Sequence, residues 1–182
     1  MATRLVCVSG TNGSGEATVY ESKVIGTWDA SIKASGVGAG SVAAWNFLLT
    51  AAGTGYGIRF DLDFHTAALV RYDPSGYTSI LSLGAFVDNQ DYTWRIGRNS
   101  DGDFTVYRDT VPVGSVTDNT YSTTCETMRV RASGFSATIS IDDIRYSAFP
   151  NDTSAYSAAT PVWNSQIKDT GGTPSAWGKI EA

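Results

Sequence analysis

Residues 57–65 read GIRFDLDFH, and apolar and polar side chains alternate along them without a break. The apolar set consists of Ile58, Phe60, Leu62 and Phe64. The polar set consists of Arg59, Asp61, Asp63 and His65. Because successive side chains of a β-strand point to opposite faces of the sheet, this period predicts a strand with one buried and one solvated face.

Alternation of the same kind recurs in residues 92–96, 104–106 and 128–131, and turn sequences separate the runs. The sequence NSDGD at 99–103 predicts a tight hairpin because Asp-Gly accepts positive φ, and DPSG at 73–76 predicts a second turn. Residues 41–49 fit a strand better than a helical turn, since their ends lack good capping residues. We therefore expect about ten to twelve strands in an all-β sandwich or barrel.

The composition agrees with strands and turns. The 182 residues include 14 Asp but only 4 Glu, and 9 Arg but only 4 Lys, so helix-forming residues are scarce. A net charge of −5 argues against binding to a nucleic-acid backbone, which needs a basic patch. No run of about 18 apolar residues exists, so we expect no membrane span. The apolar stretch near the N-terminus is too short for a signal peptide, and we expect none in this chain.

The alternation changes phase once, near the end of the strand-rich region. Ile139 and Ile141 are in step, whereas Ile144 and Tyr146 resume one register off. An extra residue in the strand explains such a shift, so the sequence predicts a β-bulge at Asp142–Asp143.

Paired aspartates raise the question of a metal. Asp142 and Asp143 could hold a structural calcium ion together with nearby carbonyls, and Asp101 and Asp103 offer a similar pair. The competing interpretation is that each pair simply forms a turn, and we expect no other cofactor.

Cys7 and Cys125 leave their pairing open. A sandwich can bring an early strand beside a late one, so a disulfide is geometrically conceivable. Two buried free thiols are the alternative, and the lack of an export signal favours it.

Residues 92–121 (YTWRIGRNSDGDFTVYRDTVPVGSVTDNTY) and 136–146 (SATISIDDIRY) carry a family likeness. Together they resemble the later strands of concanavalin A-like lectin/glucanase domains, including laminin-G-like modules. The sequence departs from that pattern at Asp109-Thr110, where the family has Asp-Gly. The resemblance implies an antiparallel two-sheet jelly roll over residues 1–150, often with a sheet face that binds glycans.

The residues give little support to catalysis. Retaining glycosidases need two carboxyl groups about 5 Å apart, and none of the four Glu stands in a Glu-x-Asp-x-Glu setting. Asp61 and Asp63 are the nearest substitute, and they fit solvated charges on a wet strand face equally well. His65 is the only histidine and has no partner motif, so we expect no enzyme activity.

The same strand offers the best candidate glycan site. Donors and acceptors alternate on its predicted wet face, and two tyrosines flank the turn at 73–76 as a stacking platform. The candidate residues are Arg59, Asp61, Asp63, His65, Tyr72 and Tyr77. The competing interpretation is a set of solvated charges with two half-buried sheet tyrosines.

Residues 151–182 differ in composition from the rest of the chain. They are rich in Ser, Thr, Ala and Gly and show no hydrophobic periodicity. Free tails rarely carry tryptophan, so Trp163 and Trp177 predict an extended arm that docks on the sandwich or on a neighbouring chain. We expect a homo-oligomer on these grounds.

Three functions follow from these observations. The first is a virion component, such as a phage tail or capsid-decorating protein, that contacts other virion subunits and binds a cell-surface polysaccharide. The second is a carbohydrate-binding module of a secreted protein. The third is a glycan-active hydrolase or lyase. The first function predicts that the protein is part of a virion, and the second predicts that it is extracellular.

Overall fold

A computed structural model describes residues 5–8, 14–20, 24–36, 38–122 and 127–147. These residues contain twelve strands, which confirms the expected ten to twelve. The strands are β1 (Leu5–Val8), β2 (Ser14–Tyr20), β3 (Gly26–Ser35), β4 (Val42–Leu49), β5 (Gly55–Asp61), β6 (Thr66–Asp73), β7 (Gly76–Ala85), β8 (Asp91–Arg98), β9 (Asp103–Arg108), β10 (Val111–Thr117), β11 (Thr127–Ser133) and β12 (Thr138–Ser147). In the part of the chain described, no helix is long and apolar enough to cross a membrane.

The strands form two six-stranded antiparallel sheets, as the predicted jelly-roll sandwich requires. Sheet A has the order β1-β12-β3-β8-β9-β10, and sheet B has the order β2-β11-β4-β5-β6-β7. Several neighbours are distant in sequence, since β12 lies beside β3 and β11 lies beside β4. Such crossovers place residues from the two ends of the chain on the same sheet face.

Aromatic side chains fill the space between the sheets. Trp28 and Trp94 of sheet A and Trp45 of sheet B are fully buried. The Phe60 ring lies 5.9 Å from that of Trp94, edge to face, and so joins the two sheets. Full burial of one such side chain stabilises the fold by about 1.5–3 kcal/mol, so these contacts dominate the core.

The local predictions about turns and the bulge are confirmed. Residues 41–49 form β4 apart from Ser41, and the sequences 73–76 and 99–103 form the expected hairpin turns. The register of β12 against β3 shifts between Asp142 and Arg145, and Asp143 has a φ of 51°. The Asp143 N–H donates to Oδ1 of Asp142, which fixes the bulge locally.

The predicted strand at 57–65 is wrong over its last four residues. β5 ends at Asp61, and residues 62–65 form the turn that leads into β6. Leu62 is still buried, but Phe64 is 73% exposed rather than in the core. The burial alternates only as far as Leu62, since Asp63, Phe64 and His65 are all exposed in the turn.

One edge of each sheet is irregular, namely β10 in sheet A and β7 in sheet B. The pairing of β10 shifts between Pro112 and Gly114, and that of β7 shifts twice against β6. Bulges and proline on an edge strand hinder pairing with another chain, so these edges are poorly suited to edge-to-edge association.

Several predictions concern residues outside the described set. The arm with Trp163 and Trp177, the boundary at residue 150 and Cys125 lie beyond it. Of Cys7 the structure describes only the backbone, which stands opposite Ile139 in the β1–β12 register. The pairing of the two cysteines stays open.

Candidate functional site

The outer face of sheet B carries the cluster that best resembles a binding site. Ile58 and Phe60 of β5 lie in the core, so Arg59 between them projects outwards. Tyr72 and Tyr77 are direct cross-strand partners on β6 and β7, on the same outer face. Arg131 of β11 and Arg59 stand on opposite sides of Ala44 in one row across the sheet. We call Arg59, Tyr72, Tyr77 and Arg131 the tyrosine face.

Arg59 is held in place by two partners. Its guanidinium carbon lies 4.4 Å from the centre of the Tyr77 ring, and its Nη1 donates to Oδ2 of Asp61 at 3.2 Å. A cation–π contact at a partly exposed site contributes about 0.5–1 kcal/mol, and a partly exposed ion pair contributes about as much. Two such contacts fix the guanidinium while leaving further N–H donors for a ligand.

The two tyrosines differ in exposure. Their ring centroids are 6.4 Å apart with a 55° tilt, and Tyr77 is 51% exposed whereas Tyr72 is half-buried. Burial raises the pKa of the Tyr72 hydroxyl to about 12, although the charges of Arg59 and Arg131 oppose the shift. The phenol therefore stays protonated at neutral pH and lies within the field of both guanidinium groups.

Small residues form the floor beneath these side chains. Ala44 and Val70 are buried although they lie outside the core cluster, so side chains on the outer face cover them. Gly57 has no room for a side chain, since a Cβ there would lie 2.4 Å from Oδ1 of Asn46. Because these residues are small, the long side chains of the outer face can lie flat along the sheet, with one side of each facing solvent.

Asp61 has a structural role in addition to its ion pair. Its Oδ1 accepts the N–H groups of Asp63 and Phe64, both at 3.2 Å, and so begins the turn that ends β5. Both of its carboxylate oxygens are therefore already engaged.

The six predicted glycan residues do not form one row. Arg59, Asp61, Tyr72 and Tyr77 share the outer face, but Asp63 and His65 lie in the turn at the other end of β6. From that turn to Tyr72 the distance is roughly 20 Å at the rise of a β-strand. His65 instead lies beside the loop after β7, with Nε2 3.4 Å from Oδ1 of Asp88. Since His65 belongs to the turn that ends β5, it lies away from the tyrosine face.

Arg131 is the residue that the sequence did not single out. The alternation at 128–131 predicts that it is on a solvated face. That β11 lies beside β4, two strands from Arg59, follows from the crossover and not from any local pattern.

A second polar cluster joins the sheets near the end of β8. Asp118 accepts from Tyr56 Oη at 2.8 Å and from Arg71 Nη1 at 2.6 Å. Arg98 is 1% exposed and donates to the carbonyl oxygens of Val24 at 2.8 Å and Tyr121 at 3.1 Å. Most of these groups are paired within the cluster, with Arg98 Nε left without a partner, so the cluster anchors the connection between β10 and β11.

The candidate metal ligands are used in local structure. Asp142 Oδ1 accepts a backbone N–H in the bulge, and Asp103 accepts from Asn99 and Thr117 in its hairpin. Among the described residues, no three His, Cys, Asp or Glu side chains group closely enough to suggest a metal site. The calcium site stays a prediction.

Comparison with solved structures gives the fold a context. The carbohydrate-binding module CBM66 from Bacillus subtilis matches with a TM-score of 0.57 at 14% identity, over 80% of this chain and 96% of that one. The carbohydrate recognition domain of Emp47p matches with a TM-score of 0.63 at 13% identity, over 79% and 82% of the two chains. The fold is the concanavalin A-like jelly roll. No protein-family model and no curated protein matches the sequence.

The concanavalin A-like fold confirms the resemblance seen in the sequence, but it does not decide whether the chain is catalytic. The β-glucanase of Bacillus licheniformis matches as well as the binding modules, with a TM-score of 0.58 at 14% identity over 79% of this chain and 77% of that one. Identities this low relate the folds alone, so function has to be argued from the residues of the site.

Proposed function

We propose that this protein is a non-catalytic glycan-binding domain whose ligand lies on the tyrosine face. The observation that carries the proposal is the contact between Arg59 and Tyr77 on an open sheet face, beside Tyr72. An aromatic ring offers a flat apolar surface for the C–H face of a sugar, and a fixed guanidinium offers donors for its hydroxyls. Concanavalin A-like neighbours that bind carbohydrate support the proposal at the level of the fold.

The positions of the carboxylates favour binding over hydrolysis. On the outer face of sheet B the one carboxylate among the described side chains is Asp61, whose two oxygens are engaged. On the outer face of sheet A, Asp29 is in an ion pair with Arg95 at 2.7 Å, and Asp142 caps the bulge. A retaining mechanism needs two carboxyl groups, one of them free to donate a proton.

The setting we propose is a virion, in which the domain decorates a phage tail or capsid and binds a cell-surface polysaccharide. The β10 edge of sheet A and the β7 edge of sheet B are blunted by bulges, and the arm at 151–182 is our candidate for contacts with other subunits. Trp163 and Trp177 would anchor that arm on a neighbouring copy. The second candidate is a carbohydrate-binding module of a secreted protein, for which the same face would serve.

A glycan array tests the binding function. The wild-type protein is expected to bind a restricted set of glycans, and Arg59→Ala is expected to lose that signal. Arg145→Ala is the matched control, since Arg145 is an exposed arginine on the opposite sheet. Absence of any glycan signal, or a signal indifferent to Arg59→Ala, would remove the proposal.

The enzyme alternative has its own assay. Incubation with the glycans that bind should release no new reducing ends. Release that is abolished by Asp29→Asn or Asp142→Asn would establish catalysis on the outer face of sheet A.

A further inference from the structure

We propose that the ligand of the tyrosine face is an acidic glycan bearing carboxylate groups, and that Arg131 is the second cation that binds it. This inference rests on the proposed glycan-binding function and names its ligand class. It assigns a role to a residue that no strand-level pattern singles out.

The charge of this face differs in sign from that of the chain. The net charge of the protein is −5. On the outward positions of β5 and β11, however, Arg59, Arg129 and Arg131 are accompanied by Asp61 alone. Among the described side chains of these two strands, three arginines thus stand against one acidic residue, and Glu16 of β2 occupies the register position opposite Arg131. A locally positive face attracts anionic ligands even though the protein as a whole is negatively charged.

The two arginines stand in one row across the sheet, along which an extended glycan can lie. Arg131 and Arg59 lie in the same row with Ala44 between them, so their Cα atoms are two strand spacings apart, roughly 10 Å. Ala44 is short, so its own side chain does not rise between the two arginines, and neighbouring side chains cover it. Successive sugars of a glycan that lies across this row can therefore contact both side chains.

Tyr72 lies on β6, which borders β5 on the side away from β11, so Arg59 stands between the strand of Tyr72 and that of Arg131. The Tyr72 phenol is influenced by both Arg59 and Arg131, and it remains a neutral O–H. It can therefore donate a hydrogen bond to a carboxylate or accept one from a sugar hydroxyl. Tyr77 supplies the exposed ring next to it.

Arg131 is exposed, and no carboxylate of the described residues pairs with it. Arginine binds a carboxylate through two parallel N–H···O bonds, so carboxylated sugars suit it better than neutral ones. Arg59 retains donors beyond the one that Asp61 uses. The two arginines thus provide one guanidinium held by Asp61 and Tyr77 and a second one that is exposed.

The test is an array of uronate- and sialate-bearing glycans, each printed beside its carboxyl-reduced neutral form, with heparin as a sulfated polymer. Wild-type protein is expected to prefer the carboxylated form. Arg131→Gln is expected to weaken that binding at least about tenfold, and raised salt should weaken it further. Arg131→Lys should recover part of the affinity, and Arg145→Gln should change nothing.

The outcomes separate this inference from the function on which it rests. If neutral glycans bind as well as acidic ones and Arg131→Gln has no effect, the acidic assignment is overturned while glycan binding stands. If no glycan binds, both fall. Heparin binding that survives Tyr77→Ala would mean attraction of charge alone, and it would also overturn the assignment.

Discussion

The guanidinium of Arg59 lies over the ring of Tyr77, 4.4 Å from its centre, on the solvent side of a sheet whose other side is the core. The two residues come from β5 and β7, with Tyr72 on the strand between them. A contact of this kind fixes a cation and a ring together without burying either fully. It is the feature from which the glycan-binding proposal follows.

Asp61 should contribute to stability through its turn. We expect Asp61→Ala to lower the free energy of unfolding by about 1 kcal/mol, since two backbone N–H groups lose their acceptor. Asp61→Asn should lose less, because the amide oxygen can still accept. Urea unfolding measures both, and an Asp61→Ala variant as stable as wild type would contradict the role.

Asp118 should make the free energy of unfolding depend on pH in the acidic range. Burial alone would raise the pKa of its carboxyl, but hydrogen bonds from Thr120, Tyr56 and Arg71 outweigh burial and hold the pKa below the ordinary 3.8. The folded state therefore gains stability above the unfolded pKa and loses it as pH falls through the lower folded pKa.

Thermal unfolding between pH 2 and pH 6 measures this effect. Asp118→Asn should flatten the decline of Tm below about pH 4, because one carboxyl no longer takes up a proton on unfolding. At neutral pH the same variant should be less stable than wild type, since its ion pair with Arg71 is lost. A variant with an unchanged Tm profile would contradict the pKa assignment.

Arg98 should be among the most sensitive polar positions. It is 1% exposed and donates to the carbonyls of Val24 and Tyr121 and to Asn119. Arg98→Met leaves these buried acceptors without a donor, so we expect a loss on the order of 3 kcal/mol. Arg145→Met, at an exposed arginine, should change stability by less than about 0.5 kcal/mol. Equal effects at the two positions would mean that the network does not stabilise the fold.

The segment at 151–182 is expected to hold the subunits of an oligomer together. If Trp163 and Trp177 dock on a neighbouring copy, Trp163→Ala with Trp177→Ala should convert an oligomer to monomers in size-exclusion chromatography with light scattering. Asn164→Ala in the same segment is the control. A wild-type protein that is already monomeric would contradict the expectation.

Local features of the fold were predictable because their causes are local. The phase break at Asp142–Asp143 and the Asp-Gly hairpin at 101–102 depend on neighbours in sequence. The end of β5 was missed, because Leu62 is buried from within a turn and so preserves the alternation. As far as Leu62 the pattern follows the burial of the side chains and not the course of the backbone, and at Phe64, which is exposed, it follows neither.

The site was only partly predictable for a different reason. Arg59, Tyr72 and Tyr77 come from consecutive strands, so their proximity follows from hairpin connectivity. Arg131 joins them because β11 crosses back beside β4, a long-range pairing with no local signal. Asp63 and His65 were included only because the strand was expected to continue.

The most direct test is isothermal titration of the strongest-binding glycan from the array with wild type, Tyr77→Ala, Tyr77→Phe and Tyr107→Ala. Tyr107 is the matched control, a tyrosine on the outer face of sheet A opposite Arg95. The glycan-binding account predicts at least about tenfold weaker binding for Tyr77→Ala, near-wild-type binding for Tyr77→Phe, and no change for Tyr107→Ala. Undiminished affinity in Tyr77→Ala, or an equal loss in Tyr107→Ala, would place the ligand elsewhere and contradict it.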